Sequence, residues 1–243
     1  KALRLLCGMP LIVHSILCAR RCGLVPIVTT DGQDIAREAV RWSAGVIMRP
    51  AELCTDEAPL WPSIRHALLD IERERRGKPF DYVLLLDPSS PGRLPSDVAG
   101  ALALLEDKSN ADVDGVLGVH KSEWSPYWHM VKQGEGGIAA DLFPGASTYN
   151  RRQDVPDVYC INASLYLWRA SFVRAEGWTW RNGKHLLWPI PAIRALHIDD
   201  EAGLQHAQAV IDSGLVELPW IEKCWTYSME GARMYWRVAN NAI

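Results

Sequence analysis

Residues 81–97 read DYVLLLDPSSPGRLPSD. Apolar side chains run from Tyr82 to Leu86 and stop at Asp87; Pro88 and Pro91 bracket Ser89 and Ser90, and Gly92 and Arg93 follow. An unbroken apolar run of this length reads as a fully buried strand, the habit of α/β sheets covered on both faces. Ending it on a carboxylate, two hydroxyls and a guanidinium puts polar groups at the carboxyl end of a strand, where ligands sit in open α/β sheets.

Strands and helices alternate on both sides of this stretch. PLIVHSILCARRCG (10–23) has helical spacing, with Leu11, Ile12, Ser15, Ile16 and Ala19 on one face, Pro10 in the first turn and Gly23 as the stop. LVPIVTTD (24–31) reads as a buried strand, GQDIAREAVRWSAG (32–45) as an amphipathic helix burying Ile35, Ala39 and Trp42, and GVIMRP (45–50) as a second strand. SIRHALLDIERERRG (63–77) is a third helix, PSDVAGALALLED (95–107) a fourth with Ser96 as its N-cap, and ADVDGVLGVHKS (111–122) a strand. The alternation lapses over 124–158, a Gly-, Asp- and Pro-rich excursion of loops and short strands suited to a lid or a dimerisation arm. VYCINASLYLWRASFV (158–173) and ALHID (195–199) read as strands, and DEAGLQHAQAVIDSG (200–214) as a helix. The tail after Leu215 carries Trp220, Trp225, Tyr235 and Trp236, aromatics expected to dock on the body or on a second subunit. This order implies a mostly parallel sheet with helices on both faces, bringing Asp31, Arg49 and Asp87 to one rim.

The 243 residues suit one large α/β domain, 1–243, with a modest excursion. A net charge of −3 argues against general electrostatic binding of nucleic acid. No run approaches the roughly 18 apolar residues of a membrane span, and no secretory signal opens the chain. Cys18 and Cys22, one helical turn apart, lack the paired cysteines or histidines of a metal site, so the six cysteines read as reduced thiols and the location as cytoplasmic. The chain begins at Lys1 rather than at a methionine, which leaves room for an upstream segment.

Asp87 and the trio Asp199, Asp200 and Glu201 suit magnesium, which takes few carboxylates and keeps its other positions for phosphate oxygens and water. Asp200 and Glu201 read rather as stabilisers of a helix N-terminus, and Asp199, which ends the run, as the functional carboxylate. Arg151 and Arg152 are either a solvated pair or a fork for a carboxylate or phosphate. Asn162 and Tyr166 offer hydrogen bonds to a polyhydroxylated ligand, although a strand tyrosine is commonly core. No GxSxG elbow surrounds Ser89 or Ser90, and no histidine is placed beside a nucleophile, so triad hydrolysis is disfavoured. The Pro-Ser-Ser-Pro turn instead suits phosphate and sugar binding.

Several segments, in order, resemble the acylneuraminate cytidylyltransferase family. These are KALRLLCGMPLIVHSI, VTTDGQDIAREAV, MRPAELCTDEA, LLLDPSSPGR, RRQDVPDVYCINASLYLW and HIDDEAGLQHAQAVI, spanning Lys1 to roughly Ser213. The resemblance implies a Rossmann-like nucleotidyltransferase that joins CTP to a nonulosonic acid, with magnesium as cofactor and a homodimer as the assembly. It implies nucleotide contacts at Lys1, Arg49, Ala58 and Ser89, sugar contacts at Arg152, Gln153, Asn162 and Tyr166, catalytic roles for Asp87, Arg152 and Asp199, and metal ligation by Asp199 and Asp87. The chain departs from the family pattern at Ala2, Leu60 and His197, and at Asp87, where the family usually has glutamine. The family's Gly-rich phosphate loop and first strand would precede Lys1. Asp87 together with NASLY is more similar to the legionaminic-acid branch than to the sialic-acid branch. Two alternatives stay open: a nucleotidyltransferase using another nucleotide or sugar acid, and a non-catalytic nucleotide-binding relative.

Overall fold

The computed structural model describes residues 1–55, 57–228 and 231–239, apart from the side chains of residues 147, 225–228, 231–233, 235 and 236. Strands β1 (Leu5–Leu6) and β2 (Met9–Pro10) form a tight hairpin through Cys7 and Gly8, both left-handed at φ 50° and 76°, as a two-residue turn of this kind requires. Helix α1 (Leu11–Arg21) follows at once. The sequence marks one apolar face, yet nine of its eleven residues are buried, including His14 and Ser15, because α1 runs through the middle of the molecule. Strand β3 (Ile27–Thr30), helix α2 (Gln33–Arg41) and strand β4 (Gly45–Met48) make a parallel βαβ unit. β3 is only partly buried, since β4 is its sole ladder partner among the described residues.

Helix α3 (Leu60–Glu74) leads to β5 (Tyr82–Leu85), then α4 (Pro95–Glu106) and β6 (Gly115–Lys121). The excursion holds one small hairpin, β7 (Val131–Gln133) with β8 (Ala139–Asp141). Strand β9 (Tyr159–Arg169), helix α5 (Ala170–Arg174), strand β10 (His185–Pro189) and helix α6 (Glu201–Asp212) follow, and a hairpin of β11 (Ile221–Ser228) and β12 (Gly231–Val238) ends the fold.

The main sheet has the order β10-β6-β9-β5. It is α/β as expected, but mixed: β6 and β10 are parallel, while β9 runs antiparallel to both β5 and β6. The chain leaves β6 and returns beside it through residues 122–158, which contain no α-helix to carry it back to the starting end.

The apolar run that reads as a fully buried strand is half-buried along its length, because β5 is an edge strand. Its side chains alternate between two cores. Val83 and Leu85 join Trp61, Trp168 and Phe172 on one face, and Tyr82, Leu84 and Leu86 join Ala101, Leu105 and Leu165 on the other. A third core surrounds α1 and takes in Leu196, Ile198, Val210 and Trp220. Trp220 thus docks on the body as expected; Trp225, Tyr235 and Trp236 lie outside the described side chains.

Two local expectations need correction. Ser96 does not cap α4: Pro95 already stands in the helix, and the Asp97 carboxylate accepts the Leu94 N–H at 2.7 Å. Residues 195–199 form no strand but an irregular segment held by single bonds. The neighbouring ladder is instead β10, whose terminal Pro189 is tolerated because the strand lies at an edge. Among the described residues no helix is long and apolar enough to cross a membrane. All six cysteines are free thiols.

Candidate active site

The turn after β5 is built by its own side chains. Asp87 Oδ1 accepts the Ser89 N–H at 2.8 Å and the Ser89 hydroxyl at 2.7 Å, and the Asp87 carbonyl accepts the Ser90 N–H at 3.2 Å. This local bonding is what favours Asp in turns. The guanidinium of the opening motif is not a surface group. Arg93 is fully buried and donates from Nη1 to the carbonyls of Asp87 (2.8 Å), Ser90 (2.7 Å) and Ser164 (3.1 Å), and from Nη2 to the Ser15 hydroxyl. Gly92 is required by close approach: a Cβ there would stand 2.0 Å from the Arg194 carbonyl oxygen.

The segment carrying Asp199 lies against this turn. The Ile198 N–H donates to the Ser89 carbonyl at 2.9 Å. Asp199 is exposed; one carboxylate oxygen takes the Lys1 ammonium and the other meets His197 Nε2. Lys1 first, then His197, holds the Asp199 carboxyl below the usual carboxylate range. Asp200 is the N-cap of α6, its carboxylate accepting the Gly203 N–H at 2.8 Å, and Glu201 pairs with Arg4. The capping reading of Asp200 therefore holds, and residues 1–4 are tied to the head of α6.

Strand β9 supplies the facing wall. Ala163 is left-handed at φ 55° inside the strand, and the register with β6 shifts between Leu117 and Val119. Such a bulge re-aims side chains, and here the Ser164 N–H (3.1 Å) and hydroxyl (2.6 Å) both donate to Asn162 Oδ1. Tyr166 stacks on Trp168 with ring centroids 5.3 Å apart, and is paired in register with Leu85. Burial, then the nearby Asp87 charge, raises the Tyr166 phenol above its ordinary range. Tyr166 is thus both core and neighbour of Asp87.

The structure brings together Lys1, Asp87, Ser89, Asn162, Tyr166 and Asp199 on four adjoining segments. Ser89 is buried, and its hydroxyl is given to Asp87 rather than left for a ligand. Arg49 and Asp31 meet at 2.6 Å at the carboxyl ends of β4 and β3, and the half-buried Ala58 follows a turn closed by its N–H on the Thr55 carbonyl at 3.0 Å. Arg152 and Gln153 are exposed, with Arg152 Nη2 donating to the Glu123 carbonyl at 3.1 Å. No bond among the described residues ties Arg49, Ala58, Arg152 or Gln153 to the Asp87 turn. Sequence reasoning placed Ser90 and Arg93 in the turn at the site but missed that Arg93 is buried, and it missed Ser164 altogether; nothing in a single sequence separates a buried arginine from a solvated one.

No group of three His, Cys, Asp or Glu side chains among the described residues forms a metal cage. Two carboxylates on adjoining segments, one of them exposed, fit a magnesium ion whose remaining ligands are substrate phosphates and water.

No protein-family model matches the chain. An N-acylneuraminate cytidylyltransferase from Streptococcus agalactiae is 29% identical over 171 residues, covering 69% of this chain and 39% of that protein. A CMP-N,N'-diacetyllegionaminic acid synthase from Legionella pneumophila is 30% identical over 173 residues, covering 69% of this chain and 70% of that protein. The chain belongs to the acylneuraminate cytidylyltransferase family. The post-translational flagellin modification protein B of Campylobacter coli is similar to this family member at 27% identity over 176 residues, covering 71% of this chain and 72% of that protein. The fold matches a CMP:2-keto-3-deoxy-manno-octonic acid synthetase structure with a TM-score of 0.63 at 15% identity, over 88% of this chain and 92% of that one. It also matches a 4-diphosphocytidyl-2C-methyl-D-erythritol synthase from Anaerococcus prevotii with a TM-score of 0.58 at 12% identity, over 87% and 93%. This acylneuraminate cytidylyltransferase family member therefore has the fold of a Rossmann-like nucleotidyltransferase.

Proposed function

We propose that the protein is a cytidylyltransferase that activates a nonulosonic acid with CTP. The anomeric hydroxyl of the acid forms a new bond to the α-phosphorus of CTP, the bond from that phosphorus to the bridging oxygen breaks, and pyrophosphate leaves as the hydroxyl proton passes to solvent. The observation that carries this reading is the Ser89–Ile198 bond at 2.9 Å, which sets the Asp87 turn beside the Asp199 segment in a chain of this family. In this reading Lys1 and Arg49 meet the nucleotide phosphates, with Ala58 and the backbone of Ser89 beside the nucleotide. Asn162 and Tyr166 meet the sugar, and Arg152 with Gln153 approaches its carboxylate from the excursion. Asp199 and Asp87 hold magnesium, which when bound neutralises charge on the α-phosphate and lowers the pKa of the hydroxyl. The residues otherwise act by positioning and by preorganised charge.

The excursion is read as a homodimer contact. Trp124, Val131 and Ile138 there are 65%, 64% and 72% exposed, the kind of apolar surface that marks an interface.

The test is pyrophosphate release with CTP, magnesium and a panel of nonulosonic acids, alongside UTP, ATP and GTP. Release that requires both CTP and an acid supports the reading, and a legionaminic-type acid is the expected best acceptor. Release with a different nucleotide, or none from folded protein, rejects it. A monomer by light scattering at assay concentration rejects the homodimer.

A further inference from the structure

We propose that Arg93 is a positioning residue that holds the nucleotide-side turn and the sugar-side strand in register with one another. The names of those two sides rest on the cytidylyltransferase reading; the coupling itself does not. The buried guanidinium hydrogen-bonds no carboxylate among the described residues. Its bonds go to the Asp87 and Ser90 carbonyls of the turn, the Ser164 carbonyl of the β9 bulge and the Ser15 hydroxyl of α1. An arginine placed only to fill space would be poorly chosen, since buried charge is costly and apolar replacements of buried ions are often neutral or stabilising. The planar guanidinium, however, presents two donor nitrogens at once, Nη1 to the three carbonyls and Nη2 to the Ser15 hydroxyl, whereas a lysine ammonium is a single donor atom that meets only one of these positions.

What Arg93 ties together supports a role in binding geometry. Each tethered segment carries a buried polar atom with no protein partner: Ser90 Oγ on the turn and Asn162 Nδ2 on β9. An unpaired buried donor is costly unless a ligand or water completes it. The direction of the Asn162 amide is set by Ser164, which donates twice to Asn162 Oδ1, and the Ser164 carbonyl is held by Arg93. One guanidinium thus fixes the relative placement of two spare donors on different elements. A shift of about 1 Å between two reacting groups lowers turnover by about 10²-fold.

The experiment compares the parent with Arg93→Lys and Ser15→Ala, the second releasing only the Nη2 bond. In folded Arg93→Lys protein, kcat is expected to fall about 10²-fold while KM for CTP and for the acid each change less than about threefold. Folded protein with kcat within about threefold of the parent overturns the proposal. If Arg93→Lys does not fold, Ser15→Ala decides: a fall in kcat at unchanged KM supports the role, and parent kinetics reject it. Amide hydrogen exchange reads the coupling without any chemistry. In the variant that folds, the Ser89, Ser90 and Ser164 amides should all exchange faster together; loosening confined to one segment overturns the coupling. A parent silent in pyrophosphate release would reject the cytidylyltransferase reading, while the exchange result would still decide the role of Arg93.

Discussion

The Ser89 carbonyl accepts the Ile198 N–H at 2.9 Å, joining a turn and an irregular segment more than a hundred residues apart in sequence. Neither belongs to a ladder at that point, yet each carries one of the two carboxylates proposed to serve the reaction. The pairing is reinforced nearby, where Arg194 donates to the Gly92 carbonyl at 3.2 Å and grips Asp97 with both terminal nitrogens, at 2.5 and 3.0 Å.

Asp87→Asn keeps the side-chain oxygen that receives Ser89 but removes the charge. Turnover is expected to fall by at least about 10²-fold, the usual scale for a lost preorganised electrostatic group, with the thermal midpoint little changed. Asp199→Ala, at an exposed position, should behave the same way. Steady-state pyrophosphate release together with a thermal melt checks both; near-parent rates in either variant would remove that residue from the mechanism.

Asp97 is buried against the half-buried Arg194, and it also caps α4. Truncating one partner leaves an uncompensated charge, so Asp97→Ala should lose about 3–5 kcal/mol of unfolding free energy. Urea denaturation measures it. A loss below about 1 kcal/mol would show that water compensates Arg194 freely.

Gly118 faces the β9 bulge. A Cβ there would stand 2.7 Å from Ser164 Oγ, 3.0 Å from the Leu165 carbonyl and 3.2 Å from Asn162 Oδ1. Gly118→Ala should therefore cost about 1–3 kcal/mol and lower turnover by displacing Asn162. Ala163→Gly should do the opposite to stability. It relieves a left-handed strain of about 1–2 kcal/mol against about 0.5–1 kcal/mol of added backbone freedom. Paired denaturation curves in which both variants shift the same way would contradict this account.

His14 is fully buried, its Nδ1 accepting the Trp220 indole N–H at 3.0 Å and its Nε2 bonded to the Leu6 carbonyl at 3.0 Å. Burial, with a smaller push from the Arg93 charge, takes its pKa from 6.5 down to about 4. The folded value lies below the unfolded one, so the unfolded chain takes up the proton first. The His14 contribution is complete above pH 6.5 and is lost as pH falls toward 4, by about 3 kcal/mol over the window. Unfolding free energies at pH 7, 6 and 5 should decline in the parent and flatten in His14→Gln. An unchanged slope would assign the acid sensitivity elsewhere.

Much of this was legible in the sequence where periodicity speaks. The α1, α2, β5 and α6 segments announce themselves because burial on one or two faces imposes a regular apolar spacing. Residues 195–199 misled because an apolar run that packs by single bonds has the same composition as a strand. The true edge strand, His185–Pro189, hides behind a histidine and a proline.

By itself the sequence determined the alternation of elements, the position of the polar turn after β5 and membership of the family, since these depend on local spacing along the chain. Only the tertiary structure decided that β9 runs antiparallel between β5 and β6, that Asp200 caps α6 while Asp199 faces Lys1, and that Arg93 lies buried beneath the turn. Those outcomes depend on which distant backbone carbonyls and carboxylates come within about 3 Å of a donor, and chain spacing carries no record of that distance.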